Sequence, residues 1–159
     1  MKSALEVVKA HRAEAERVVK DVKSEASKPI TIAGVPGQPQ PRPTGLERSL
    51  QPGYSDQADS YNRIITALKN GSTSVTNPFN NTSAPLNDAT RDAVHFSGIW
   101  FRGAEQSLGK SYAPPTEAML SSAWANIVQA ISSLSSGDRK KLQKKLDKEC
   151  RWRTWPNVN

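Results

Sequence analysis

Apolar side chains recur along this chain at steps of three and four, the period of a helix with one buried face. Residues 2–28, "KSALEVVKAHRAEAERVVKDVKSEASK", place Leu5, Val8, Arg12, Ala15, Val19, Val22 and Ala26 on one seam. A 3.5-residue repeat of this kind suits an amphipathic helix on its own domain, or a short self-association helix through Leu5, Val8, Val19 and Val22. Residues 55–70, "SDQADSYNRIITALKN", predict a second helix, with Ser55 as N-cap, Ala58, Tyr61, Ile65 and Leu68 on its apolar face and Gly71 just past its end. Residues 87–109 predict a third, capped by Asn87 or Asp88, with Gly98 marking close packing or a kink. The strongest stripe is Leu120, Trp124, Ile127, Ile131 and Leu134 in residues 116–135. A last, narrow amphipathic helix over about 139–150 has Leu142, Leu146 and Cys150 on its apolar line and almost only charge elsewhere.

Between these stretches the pattern stops. Residues 29–54 hold six of the eleven prolines, and "GQPQPRPTG" neither propagates a helix nor fills a central strand, because each proline fixes φ and removes a backbone donor. This reads as an extended arm or linker. "GSTSVTNPFNNTSAPL" reads as a second loop. The only strand signal is the short "ITIAGV". The predicted class is therefore all-α: a four-helix bundle-like domain over 55–155, an N-terminal helix over 1–28 and a proline-rich arm over 29–54, suited to exchange between subunits of a homo-oligomer.

Composition agrees with a chain that has extensions. Its 159 residues are 36% hydrophobic, below the roughly 45–50% of compact domains. Charge is more informative. Eight of the 22 Lys and Arg but only two of the 15 Asp and Glu lie between Arg139 and Arg153, so that stretch carries +6 of the net +7. A localised anionic partner follows. No apolar run approaches the length of a membrane span, so no membrane partner is expected and the default compartment is the reducing cytoplasm, or the virion if the protein is viral.

Candidate chemistry is sparse. There are two histidines and one cysteine, with no HxxxH, CxxC or HExxH spacing, so neither a metal nor another cofactor is expected. GxGxxG, GxxxxGK[ST] and GxSxG are absent, and an enzyme is not expected. Cys150, flanked by Lys148 and Arg151, could have a lowered pKa, but a small residue on an apolar face is the simpler reading. The basic stretch "RKKLQKKLDKECRWRTW" is the main functional signal. Arg139, Lys140, Lys141, Lys144, Lys145, Lys148, Arg151 and Arg153 suit phosphates, and Trp152 and Trp155 suit stacking on unpaired bases, so single-stranded nucleic acid is the expected ligand. The competing reading is a solvated helix face with both tryptophans packed inward.

Several stretches in order, "NRII" (62–65), "NP" (77–78), "L-N-DATR" (86–91), "SAWANIVQAI" (122–131), then a polar turn, a short basic-apolar helix and Trp152, resemble the rod-shaped plant virus coat proteins of the tobacco mosaic virus type. The resemblance covers roughly residues 60–155. It implies a four-helix subunit stacked in a helical particle around single-stranded RNA, with Arg91 of "DATR" beside the RNA. The first 55 residues do not share the pattern, and that family's C-termini face outward, so Arg91 and the basic tail are rival contact sites. The other functional class is a helical protein–protein interaction module, docking through the N-terminal seam and the Trp/Leu stripe.

Overall fold

A computed structural model describes residues 2–27, 30–31, 39–40, 45–77 and 82–157. The described chain is mostly helical: α1 (Lys2–Ser27), α2 (Gly45–Lys69), α3 (Leu86–Leu108), α4 (Glu117–Ser133) and α5 (Ser136–Lys145), continued by a π-helical turn (Leu146–Cys150) and a final 3₁₀ turn (Trp155–Asn157). Two short antiparallel pairs lie between helices. Strand β1 (Ile30–Thr31) pairs with β2 (Pro39–Gln40), and β3 (Ser74–Asn77) pairs with β4 (Thr82–Pro85).

The helix ends follow local chemistry. Gly71 adopts φ +72, Gly71 N–H donates to the Leu68 carbonyl and Ser72 N–H to that of Ala67, so α2 closes in a Schellman turn. Gly109 closes α3 at φ 64. Thr116 caps α4 by accepting from Met119 N–H at 3.2 Å.

Four expectations change. Helix α2 begins at Gly45, ten residues before Ser55, and runs through Pro52. Leu50 and Tyr54 are buried, and Trp100 Nε1 donates to the Leu50 carbonyl at 3.0 Å, so tertiary packing outweighs the proline. A Cβ at Gly53 would overlap the Trp100 indole, so glycine is required for this approach of α2 to α3. The rest of the expected proline-rich arm lies largely outside the described residues. Second, α3 starts at Leu86 after Pro85, with no side-chain cap from Asn87 or Asp88. Third, the stretch read as a loop contains the β3–β4 hairpin, with Val75 opposite Ala84. Fourth, a Cβ at Gly98 would meet nothing within 4 Å, so no close approach explains that glycine.

The N-terminal helix is not set apart. Its main partner is α4, it also packs on α2, and its apolar side chains belong to the same core as those of α2–α4. Leu5, Val8, Val19 and Val22 are all buried inside their own chain. They hold the fold together and offer no surface for self-association, because their apolar area is already removed from water.

At the centre Tyr61 of α2 lies stacked between two indoles. Trp124 of α4 is 5.6 Å away at 13°, and Trp152 is 5.4 Å away at 16°. His11 of α1 completes the group, 5.3 Å from Tyr61, 5.8 Å from Phe101 and 5.4 Å from Trp152. Ser97 Oγ donates to Gln57 Oε1 at 2.6 Å and lies 3.3 Å from the Tyr61 hydroxyl, so these buried polar groups satisfy one another. His11 Nε2 has no partner among the described residues. Burial lowers the His11 pKa to about 4, so the imidazole is neutral in the fold.

The unfolded chain takes up this proton near pH 6.5 and the folded one only near pH 4, so the stabilisation is complete above pH 6.5 and declines as pH falls through that window. At about 1.4 kcal/mol per pH unit the loss amounts to about 3 kcal/mol. Urea unfolding between pH 7 and pH 4 should show this decline, and His11→Leu should remove it.

Candidate nucleic-acid interface

The C-terminal segment is built as a strap with two unlike sides. Ser135 caps α5, its Oγ accepting from Asp138 N–H at 3.4 Å. Leu142, Leu146 and Cys150 are all buried, the wide π-helical turn keeping the last two against the core. From there the segment runs antiparallel to α2. Gln143 donates to the Leu68 carbonyl at 2.7 Å, Lys69 meets Asp147 at 3.1 Å, Asn62 exchanges hydrogen bonds with both backbone groups of Trp152 at 2.7 and 3.1 Å, and the Tyr54 hydroxyl donates to the Arg153 carbonyl at 2.8 Å. On the other flank it follows α1. Lys9 pairs with Glu149 at 3.2 Å, and the Arg12 guanidinium donates to the carbonyls of Glu149 and Arg151. Arg12, the residue that interrupts the apolar seam of α1, thus satisfies carbonyls left open where the last helix ends.

This docking decides what each candidate residue can do. Trp152 and Trp155 are buried, at 4% and 5% exposure, and Trp155 sits edge-on to Tyr54 at 5.6 Å. Both rings are core, which corrects the expectation that they stack on bases. Cys150 is buried, as the reading of a small residue on the apolar face of the last helix requires. Burial pushes its thiol up to about 11 and outweighs the lowering its basic neighbours could exert.

The outward side is different. Arg139, Lys140, Lys141, Lys144, Lys145, Lys148 and Arg153 are exposed. None of the five lysines pairs with a carboxylate among the described residues. The acids of the same segment are occupied elsewhere: Glu149 by Lys9, and Asp147 by Arg151 at 2.6 Å and by Lys69. Hydrogen bonds from Arg151, then from Lys69, hold the Asp147 carboxyl below its ordinary range. Arg151 is therefore committed to Asp147 and to the Thr66 hydroxyl, and Arg139 donates to the Leu134 carbonyl at 3.3 Å. What remains is a strip of exposed cations whose interleaved acid, Asp147, is already paired, about 12 Å long between Lys140 and Lys148 at 1.5 Å per helical residue.

Arg91, the rival site, projects from the first turns of α3 and is exposed, with its guanidinium on Asp88 at 2.6 Å. Arg139 lines a cleft of about 340 Å³ with Asn87 and Leu86, so the start of the lysine strip and the start of α3 share one end of the molecule. The sequence missed Arg12, Asn62 and Gln143, which aim the strip. Arg12 was visible as a charge inside an apolar seam; the other two carry no signal in the pattern.

The described residues contain no group of three or more His, Cys, Asp and Glu placed to hold a metal ion, and no described helix is long and apolar enough to cross a membrane. No family model, curated protein or solved structure matches this chain.

Removing the Trp152 ring should cost far more than a surface change. Trp152→Ala should lower stability by about 3–5 kcal/mol in chemical denaturation, the range for emptying a buried aromatic site, whereas a truly surface-exposed base-stacking tryptophan would cost under about 0.5 kcal/mol.

Proposed function

We propose that this chain is a non-enzymatic structural protein that self-assembles and coats or packages nucleic acid, of the viral coat or nucleocapsid type. In this reading α2–α5 form a four-helix bundle-like subunit with α1 packed against it, the proline-rich arm bridges neighbouring copies, and the lysine strip of α5 and the turn after it takes the phosphates. The observation that carries the reading is the separation of charge along the C-terminal segment: Asp147 pairs with Lys69 and Arg151 and Glu149 with Lys9, while five lysines face solvent with no carboxylate partner among the described residues. Such a surface favours polyanions through counterion release. The resemblance of residues 60–155 to rod-shaped plant virus coat proteins favours single-stranded RNA as the ligand, and it adds Arg91 as a second contact.

Burial of both tryptophans changes the expected mode of binding. Without exposed aromatic rings on the strap, recognition rests on phosphates, and phosphates carry no sequence information. Binding is therefore electrostatic and tolerant of sequence.

A protein–protein interaction module is the second reading. The faces first assigned to it, the α1 seam and the Leu120–Trp124–Ile127–Ile131 stripe, are interior. What favours it instead is the exposure of Phe96, Ile99 and Met119.

A salt titration of binding to single-stranded RNA separates the two. Replacing Lys140, Lys141, Lys144, Lys145 and Lys148 by Gln should flatten log K against log salt by up to about 3.5 units of slope, at about 0.7 per phosphate contact on a single strand. An unchanged slope in this variant, with a reduced slope in Arg91→Gln, would move the contact to α3. No measurable binding by the parent chain would favour the interaction module.

A further inference from the structure

The docked strap builds more than a lysine strip. Between the strap, α2 and β3 lies a cleft of about 430 Å³. That volume falls within the roughly 300–1,000 Å³ of small-molecule sites. Arg151 of the strap lines it and is held in place, its guanidinium donating to the Thr66 hydroxyl at 3.0 Å and to Asp147 at 2.8 Å. Asn62, also in the lining, is fixed by its hydrogen bonds to the backbone of Trp152. The turn that closes α2 adds Asn70 and Ser72, and β3 adds Ser74.

The lining is almost wholly polar. Its apolar share is Ala67 and Val75, and no aromatic ring lines it. Stacking of an unpaired base uses such a ring, so the cleft does not suit a base face. Its charged groups already have partners: Arg63 pairs with Asp59 at 2.6 Å, and Arg151 with Asp147. Asn70, Ser72 and Ser74 differ. All three are exposed, and their side chains make no hydrogen bond among the described residues. Amides and hydroxyls offer both donors and acceptors. A ribose 2′-hydroxyl is likewise donor and acceptor, and it is the group by which a protein tells RNA from DNA.

Placement along the chain supplies the second argument. Lys148, the last lysine of the strip, lies three residues before Arg151. The strip and the cleft therefore adjoin on one strap, and a strand whose phosphates follow the lysines passes the cleft with its sugars.

We propose that this cleft is a ribose site: it takes the sugar of one unpaired nucleotide, with Asn70 and Ser74 hydrogen-bonding the 2′-hydroxyl. The site rests on the nucleic-acid half of the proposed function. It adds a preference for RNA over DNA and reads no sequence, because the sugar is common to all four nucleotides.

Binding of the full-length chain to oligouridine and to oligodeoxyuridine of equal length, at one salt concentration, tests it, since the two strands differ only in the 2′-hydroxyl. Oligouridine should bind about fivefold or more tighter, the worth of one net hydrogen bond. The double variant Asn70→Ala, Ser74→Ala should bind both strands with the affinity the parent has for oligodeoxyuridine. Its salt slope and thermal unfolding should stay those of the parent, since both positions are exposed. Replacing the five lysines by Gln should weaken both strands alike and keep their ratio. Equal affinity of the parent for the two strands overturns the ribose site and leaves the nucleic-acid reading standing. A preference that survives the double variant also overturns it, by placing the contact elsewhere. No binding to either strand overturns the nucleic-acid reading, and this site with it.

Discussion

The stack of Trp124, Tyr61 and Trp152 is the interaction on which the rest of this structure depends. Its three rings come from α4, from the middle of α2 and from the strap beyond the last helix, and each indole lies within 16° of parallel to Tyr61. Tyr61 can occupy that slot only because its hydroxyl meets Ser97, and the cluster tolerates His11 only as a neutral imidazole. Large aromatic surfaces contribute strongly when buried, with about 0.5–1.5 kcal/mol more from favourable ring geometry. Once Trp152 is held, Asn62 and Arg12 fix the backbone around it, and the rotation of α5 follows.

That rotation links packing to the proposed function. With Leu142, Leu146 and Cys150 turned inward, the lysines have no direction left but solvent. The same geometry turns Asp147 toward Lys69 and Arg151 and brings Glu149 to Lys9, so the negative charge of the segment is compensated by other cations and not by the lysines of the strip. Exposed lysines spread over about 12 Å suit phosphates and do not read bases. The aromatic side of the segment is spent on stability, and the cationic side is free for a ligand.

Much of this was legible in the sequence, for identifiable reasons. Helices α3 and α4 have strong apolar periodicity and α5 a narrow apolar line through Leu142, Leu146 and Cys150, so their existence follows from pattern alone. The first ten residues of α2 were hidden because Pro52 and Gly53 signal a break, and only the buried Leu50, Tyr54 and Trp100 overrule them. The β3–β4 hairpin was hidden because Thr, Ser and Asn dominate both strands. The division of the tail could be seen as a possibility but not decided: Trp152 and Trp155 among arginines look the same whether they wait for bases or fill a core. Their burial depends on Tyr54, Tyr61 and Asn62, about ninety to a hundred residues earlier in the chain, a separation no local window spans.

The central claim is that this protein is a subunit that assembles on nucleic acid. Electron microscopy of the purified full-length chain, with and without single-stranded RNA, tests it most directly. The account predicts regular multi-subunit particles in the presence of RNA, with dimensions that follow the length of the RNA supplied. Monomers alone at high protein concentration, with and without RNA, would contradict it.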